Sequence, residues 1–326
     1  MAEATIPVDL LNPGQVFACL GFLEAADVLL GDAEGGFDWR DESDTRFRLR
    51  AKGTLNPFEE VLEFLAGAEI KPFGPVGYTA PPPKKSKENV GEENTGGDDE
   101  TVESGDSRSY GLETFETFPA RQGDGMNLPI IVSSGKSSFE MSHWADDSGR
   151  ETFKLYSGNR TAHQIARAML KGVRKKPSKK QKQAGQPGDI KIKGLGQLWE
   201  EDRHKLIKEP LQVTTPMGGS FNFDPRGSWT AIDLGYSPND QKPKHLVKAS
   251  PAVEFLAAWG LQNARPLLFN GRQVRYAAWG IVVPAILARA ALGGSIAGLP
   301  LRWFQFKLDM SGKNKIVTFA EEEIPS

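Results

Sequence analysis

The fold of this chain depends first on residues 12–30, which have the sequence NPGQVFACLGFLEAADVLL. Asn12 is a favoured N-cap residue and Pro13 suits the first helical position, so the spacing predicts a helix from there to about Leu30. Apolar residues occur on almost every side of this helix, and we therefore expect it to lie at the centre of the core. Gly21 in its middle costs about 1 kcal/mol relative to alanine, which predicts close backbone packing at that point.

The elements around this helix predict the fold class. In the segment Thr45–Arg50, apolar and basic residues alternate, which is typical of a half-buried strand with a basic outer face. Asn56-Pro57 and Ser250-Pro251 have the same cap-then-proline pattern as the first helix. Strands and helices follow each other without a regular βαβ rhythm. We therefore predict an α+β fold with mixed or antiparallel sheets, packed helices and a helical C-terminal part.

Three further patterns predict local structure. Ser138–Trp144 and Thr152–Tyr156 have strand-like composition and are separated by turn-forming residues, which predicts a hairpin. A helix is predicted from about Thr161 to Arg174. Pro266–Trp279 is predicted to form a second hairpin around an Asn-Gly turn.

Charge and composition divide the chain into four predicted segments. Between Glu88 and Asp106 there are eight acidic residues and no lysine or arginine. We interpret this part as a disordered loop; the alternative is an acidic segment that shields a basic surface. The segments are an N-terminal α/β part of the core (1–71), a disordered acidic insertion (72–110), a β-hairpin with a basic helix (111–210) and a C-terminal α+β region (211–326).

Cysteine usage and hydropathy indicate the compartment. Cys19 is the single cysteine, so no intrachain disulfide can form, and its apolar surroundings suit a buried thiol in a reducing cytoplasm. The first ten residues lack the basic start of a signal peptide. No apolar run reaches the roughly 18 to 20 residues that a membrane span needs. We therefore expect a cytoplasmic protein with no membrane partner.

The strongest functional feature is a basic tract from Lys171 to Lys193, which has nine lysine or arginine residues and one acid. It follows a helix whose exposed face we predict to be basic, and several cations that reach one backbone can neutralise phosphates. The alternative is a solvated loop. The tract contains no aromatic residue, which argues against base stacking. The predicted nucleic-acid-binding residues are Arg160, Arg167, Lys171, Arg174, Lys175, Lys176, Lys179, Lys180, Lys182, Lys191, Lys193, Asn222 and Arg226.

Asn222 and Arg226 come from an unusual loop, Phe221–Trp229. Asparagine and arginine side chains can form paired hydrogen bonds with base edges. The alternative is structural, with Asp224 as a cap that pairs with Arg226. The three arginines of the Thr45–Arg50 strand could extend the phosphate-binding surface, or could simply face solvent.

Catalytic and metal motifs are not found in the sequence, and we expect no enzyme activity, no metal and no cofactor. Gly135-Lys136-Ser137 follows a predicted strand, but a phosphate-binding loop needs a further glycine where Ile130 stands. The interpretation is an ordinary turn. His143 lies close to two aspartates and could bind a metal ion, although an exposed hairpin explains it as well. An active site assembled from distant residues stays open.

Several stretches resemble a known family. They are Leu11–Asp27, Phe221–Asp240 with Asp224-Pro225-Arg226, Ser250–Glu254 and Gly260-Leu261-Gln262. Together they are similar to a CRISPR-associated protein of the type I-G systems, formerly called I-U. These motifs form the fold and are not catalytic signatures.

The resemblance implies a subunit of a crRNA-guided Cascade-like surveillance complex, with the large-subunit role as the first expectation. Such subunits bind the protospacer-adjacent motif, stabilise the R-loop and recruit a separate helicase-nuclease. The implied partners are therefore the other Cascade subunits, crRNA, target double-stranded DNA and the helicase-nuclease. The alternative is a RAMP-type backbone subunit that binds crRNA, which a ferredoxin-like βαββαβ core would support.

Overall fold

The computed structural model describes residues 1–75, 116–118, 128–142, 153, 155–156, 161–217, 219–228, 247–269, 272–311 and 314–323. Its helices and sheets confirm the α+β class. The helices are α1 (Pro13–Leu29), α2 (Pro57–Gly67), α3 (Ala162–Lys171), α4 (Lys179–Gln183), α5 (Leu195–Lys208), α6 (Pro251–Gly260) and α7 (Ala285–Leu292).

The strands of the described residues are β1 (Ala2–Pro7), β2 (Glu34–Asp38), β3 (Arg46–Ala51), β4 (Glu69–Pro75), β5 (Glu116–Phe118), β6 (Ile130–Ser134), β7 (Ser137–Met141), β8 (Val173–Arg174), β9 (Ile190–Ile192), β10 (Thr215–Pro216), β11 (Lys248–Ala249), β12 (Leu267–Phe269), β13 (Gln273–Trp279), β14 (Val283–Pro284), β15 (Leu301–Ser311), β16 (Asn314–Val317) and β17 (Glu321–Glu322). They form several separate sheets, and among the described residues all the strand pairs except β4-β5 are antiparallel. The order β1-β3-β2-β14 makes the first sheet, β5-β4-β6-β7 the second, and β12-β13-β15-β16 the third, with β17 also paired to β15. Two short ladders, β8-β9 and β10-β11, are separate from these sheets.

The centre of the core is a parallel pair of helices, α1 and α6. Asn12 and Ser250 cap them, as the sequence predicts, and each side-chain oxygen accepts a backbone N–H three residues on. A methyl group added at Gly21 would collide with the carbonyl oxygen of Leu256, and one at Gly260 with that of Phe17. The predicted close packing at Gly21 is therefore confirmed, and it brings two helix backbones into direct contact.

The first 75 residues follow the order β1-α1-β2-β3-α2-β4. In the first sheet β3 lies between β1 and β2 and is antiparallel to both. The two helices pack on β1, β2 and β3. Edge-to-face rings join the two layers, with Phe47 of β3 and Phe58 of α2 centred 6.4 Å apart. This is a split βαβ arrangement. β4, however, does not lie beside β1 but pairs with β6 and β5.

Several local predictions need correction. α3 ends at Lys171, not near Arg174, because Gly172 has a φ of +71° and the chain enters β8. The basic tract, for which a solvated loop was the alternative, contains the short helix α4, which Ser178 caps. β4 continues to Pro75, so ordered structure extends past the predicted start of the insertion at residue 72.

Two predicted features lie mostly outside the residues that the structure describes. Residues 76–110 of the acidic insertion and residues 143–152 of the first predicted hairpin lie outside the described residues. The second predicted hairpin is confirmed on both strands, because Phe269 of β12 pairs with Gln273 of β13. The predicted segments 1–71, 111–210 and 211–326 share one apolar core, and the boundaries between them stay a prediction.

None of the helices in the described ranges is both long and apolar enough to cross a bilayer.

Candidate nucleic-acid interface

The basic tract folds into a hairpin-like projection that we call the basic arm, residues 172–194. Its two sides are β8 and β9, which pair antiparallel, and the backbone N–H of Lys175 extends the ladder to Asp189 O at 2.8 Å. α4 lies between the two strands in sequence and forms the tip. The lysines of the basic tract therefore lie on a folded strand–helix–strand segment.

The base of the arm is fixed by two glycines whose backbones meet. A Cβ added at Gly172 would lie 2.5 Å from the carbonyl oxygen of Ile192. A Cβ added at Gly194 would lie 2.3 Å from the backbone nitrogen of Gly172. Gly194 is also the N-cap of α5, and its N–H donates to Gln197 Oε1 at 2.8 Å. Only glycine fits so close an approach, so these residues set the direction in which the arm leaves the core.

The tip has its own capping network. Ser178 and Gln181 form a capping box, in which Ser178 N donates to Gln181 Oε1 at 2.9 Å and Gln181 N donates to Ser178 Oγ at 3.3 Å. Gln181 Nε2 donates to Asp189 Oδ1 at 3.0 Å across the arm. The single acidic residue of the tract thus holds the tip helix to the opposite strand.

Apart from Lys193 at its root, six of the predicted lysines lie exposed on this arm. Four of them, Lys175, Lys179, Lys180 and Lys182, form no ion pair with a carboxylate in the part of the chain that the structure describes. The other two are Lys176 and Lys191. Their charges are close together in sequence and are carried by one rigid unit, as phosphate binding requires.

Three other predicted residues at the root of the arm have internal partners. Lys171 Nζ donates to Ala66 O at 3.0 Å, near the C-terminus of α2, and burial lowers the pKa of its ammonium group. Arg174 donates to Gly188 O at 3.2 Å. Lys193 pairs with Glu201 at 2.7 Å. The helix α3 therefore ends at Lys171, and the residues at the root of the arm have partners within the fold as well as positive charge.

Arg160 lies outside the described residues, and Arg167 is exposed on α3. On the inner face of the same helix, His163 is buried with Nε2 3.1 Å from Ile70 O. Burial lowers the pKa of His163 to about 4, and the charge of Arg167 adds to the effect. The imidazole is thus neutral near pH 7, and its Nε2–H donates to the carbonyl.

The loop that carries Asn222 and Arg226 is built around Asp224, which is fully buried. Its two oxygens accept from Arg226 Nε at 2.8 Å and Arg226 Nη2 at 2.7 Å. Asn12 Nδ2 at 3.3 Å and Ser250 N at 2.9 Å donate to the same carboxylate. The N-termini of α1 and α6 therefore meet at one side chain, where their dipoles favour negative charge.

Four of the five N–H donors of Arg226 are used inside the fold, since Nη2 also donates to Leu211 O at 2.7 Å and Nη1 donates to Gln212 Oε1 at 3.2 Å. Asn222 has a φ of +65°, and its carbonyl accepts from Val317 N. Its Nδ2 is buried and has no hydrogen-bond partner among the described residues. This geometry favours the structural alternative for both residues.

Glu254 on α6 is the second buried carboxyl group of this cluster. Its oxygens accept from Asp224 N at 2.9 Å and Phe223 N at 3.3 Å. Burial, together with the nearby charge of Asp224, raises the pKa of Glu254 to about 7. Sequence reasoning missed the Asp224–Glu254 pair; the only available sign was an acidic residue in the first turn of an otherwise apolar helix.

The remaining candidates also have structural roles. Arg46, Arg48 and Arg50 pair with Asp44, Asp38 and Glu3 at 2.5 to 3.1 Å, so each has a carboxylate partner. Asp38 is shared with Arg40, and Glu3 is shared between Arg48 and Arg50. Gly135-Lys136 is a two-residue hairpin turn with Ser134 opposite Ser137, which confirms the turn interpretation. His143 lies outside the described residues. Within the described ranges no three His, Cys, Asp or Glu side chains gather as a metal site would need.

Comparison with known proteins gives no relative: no family model, curated protein or solved structure matches the chain.

Proposed function

We propose that this chain is a non-catalytic subunit of a crRNA-guided type I CRISPR surveillance complex, and that it holds nucleic-acid phosphates with the basic arm. The observation that carries the second part is that Lys175, Lys179, Lys180 and Lys182 lie exposed on the folded arm and form no ion pair with a carboxylate among the described residues. The first part depends on the resemblance of residues 11–27 and 221–262 to type I-G proteins.

The chemistry of the arm supports phosphate binding over base reading. Each lysine that neutralises a phosphate adds roughly −0.9 to the slope of log affinity against log salt on duplex DNA. No aromatic side chain occurs between residues 172 and 194, so the arm has nothing on which a base could stack. Binding of this kind tracks a backbone and is indifferent to sequence.

The large-subunit role is the first candidate. In that role the chain, in the cytoplasm, contacts target DNA beside the protospacer-adjacent motif, stabilises the R-loop and helps recruit the helicase-nuclease. Guide pairing would read the target, while protein would hold the duplex.

The RAMP-type role is a second candidate, favoured by the βαββαβ order of residues 2–75 and by the position of β3 between β1 and β2. The outer face of this sheet differs from that of a base-stacking RNA reader. Its side chains, Glu3, Thr5, Arg46, Arg48, Arg50, Glu34 and Asp38, include no aromatic residue.

Reconstitution of the complex with and without this chain separates the two roles. The large-subunit role predicts that binding loses its dependence on the adjacent motif when the chain is missing. If that dependence persists and crRNA is instead lost or becomes nuclease-sensitive, the large-subunit role is wrong and the RAMP-type role is supported.

The basic arm is tested by substitution of Lys175, Lys176, Lys179 and Lys180 with glutamine. We expect the salt slope of DNA binding to flatten by roughly 3 to 4 units. A matched control changes four exposed lysines elsewhere, Lys52, Lys71, Lys248 and Lys307, by the same charge. Equal slopes for the two variants would contradict the assignment of the arm.

A further inference from the structure

The tip of the basic arm has a fixed rotation about its helix axis. Gln181 faces the opposite strand, because its amide donates to Asp189 and its carbonyl oxygen accepts from Ser178 N. At 3.6 residues per turn, neighbouring side chains are about 100° apart. Lys180 and Lys182 therefore lie on the two flanks of the helix, and Lys179 is about 160° from Gln181, on the outermost side.

From this arrangement we propose that the tip enters the major groove of a B-form DNA duplex, with Lys180 and Lys182 directed at the phosphates of opposite strands. The inference rests on the proposed function of the arm and names the substrate class of that site. It requires a ligand with phosphates on both sides of the helix.

The dimensions favour this duplex over other nucleic acids. A helix with its side chains is about 10 to 12 Å across, and the major groove of B-form DNA is about 12 Å wide. The major groove of A-form RNA is too deep and narrow for side chains to enter. A single strand offers one row of phosphates, so only one flank of the tip could bind it at a time.

The tip also has little means of reading sequence. The amide of Gln181 is occupied within the arm. Lys179 alone points to the groove floor, where guanine presents acceptor atoms. We therefore expect at most a weak preference for G·C pairs.

The test uses the full chain and three labelled probes of equal phosphate number: duplex DNA, duplex RNA of the same sequence, and single-stranded DNA. Lys180→Gln and Lys182→Gln should each flatten the salt slope on duplex DNA by roughly 0.9, and the double variant by about twice that. On duplex RNA and single-stranded DNA the salt slope of the double variant should flatten by no more than roughly 0.9. Lys52→Gln with Lys307→Gln is the control of equal charge.

Groove occupancy gives an independent readout. Duplex DNA whose cytosines carry a glucosylated hydroxymethyl group has a filled major groove, and we expect its binding to fall at least 10-fold. A minor-groove ligand such as netropsin should leave binding unchanged.

The outcomes distinguish this inference from the proposed function. If the double variant flattens the slope equally on all three probes, or if the filled groove binds as well as the open one, the major-groove inference is overturned while phosphate binding by the arm stands. If the variant matches the control on every probe, the phosphate-binding role of the arm fails as well.

Discussion

The carboxylate of Asp224 accepts a hydrogen bond from the backbone N–H of Ser250 at 2.9 Å. This bond connects the loop at residues 220–228 to Ser250, the N-cap residue of α6. The same side chain binds Asn12 at the cap of α1. One buried carboxylate therefore fixes how the two central helices begin.

We predict that Asp224→Asn lowers the free energy of unfolding by about 3 to 5 kcal/mol. The amide would leave the Arg226 guanidinium without its buried counter-charge and would turn a donor towards N–H groups. Chemical denaturation measures the change, and Asp309→Asn at an exposed position is the control. A loss below about 1 kcal/mol would show that Asp224 does not organise the helix caps.

Gly21→Ala should also destabilise the protein, although alanine is the better helix former by about 1 kcal/mol. The added methyl group would collide with the backbone of Leu256, and neither helix can shift without repacking the core. We expect a net loss of about 2 to 3 kcal/mol. Gly67→Ala, at the end of α2, meets only the Ser134 hydroxyl and should be close to neutral in the same thermal or denaturant assay.

The raised pKa of Glu254 predicts a pH dependence. The folded state retains the proton up to about pH 7, whereas the unfolded carboxyl loses it near 4.5. Ionisation therefore costs stability as pH rises from 4.5 to 7, by about 3 kcal/mol in total. The stability of Glu254→Gln relative to the parent should increase across this window. A constant difference between the two denaturation curves would contradict the prediction.

His163 predicts the opposite trend. Its folded pKa of about 4 lies below the ordinary 6.5, so the buried ring must remain neutral. The stability contributed by the neutral ring is complete above pH 6.5 and is lost as pH falls towards 4. In the Glu254→Gln background, where the opposing group is absent, unfolding measured from pH 7 to 4 should show this loss. A flat profile there would mean that the pKa of His163 is the same in the folded and unfolded states.

Lys171 gives a prediction that separates stability from binding. Lys171→Gln should remove the hydrogen bond to Ala66 O at the C-terminus of α2 and cost about 1 kcal/mol. Because the ammonium group is half-buried and donates to Ala66 O, the salt slope of DNA binding should not change. Lys180→Gln serves as the comparison, with a changed slope and unchanged stability. Equal effects of the two variants on the slope would place Lys171 in the binding surface.

Much of the local structure could be predicted from neighbouring residues. Asn12-Pro13, Asn56-Pro57 and Ser250-Pro251 all start helices, because the cap residue and the fixed φ of proline act within one turn. The alternation in Arg46–Ala51 gives a strand with one buried face for the same local reason. For the basic arm, the sequence predicted the concentration of positive charge but not the folded shape that carries it.

The sequence by itself determined the helix starts, the strand faces, the glycine at the helix crossing and the position of the basic tract, since each depends on residues a few positions apart. The tertiary structure decided which charges are available. Lys171 meets Ala66 across 105 positions, and Arg226 is held by Asp224, whose other donors come from residues 12 and 250. Such partners depend on where distant segments pack, and a charged side chain is committed to them only once the core has formed. That is why the continuous basic face predicted from the sequence is reduced, in the fold, to the lysines of one folded arm.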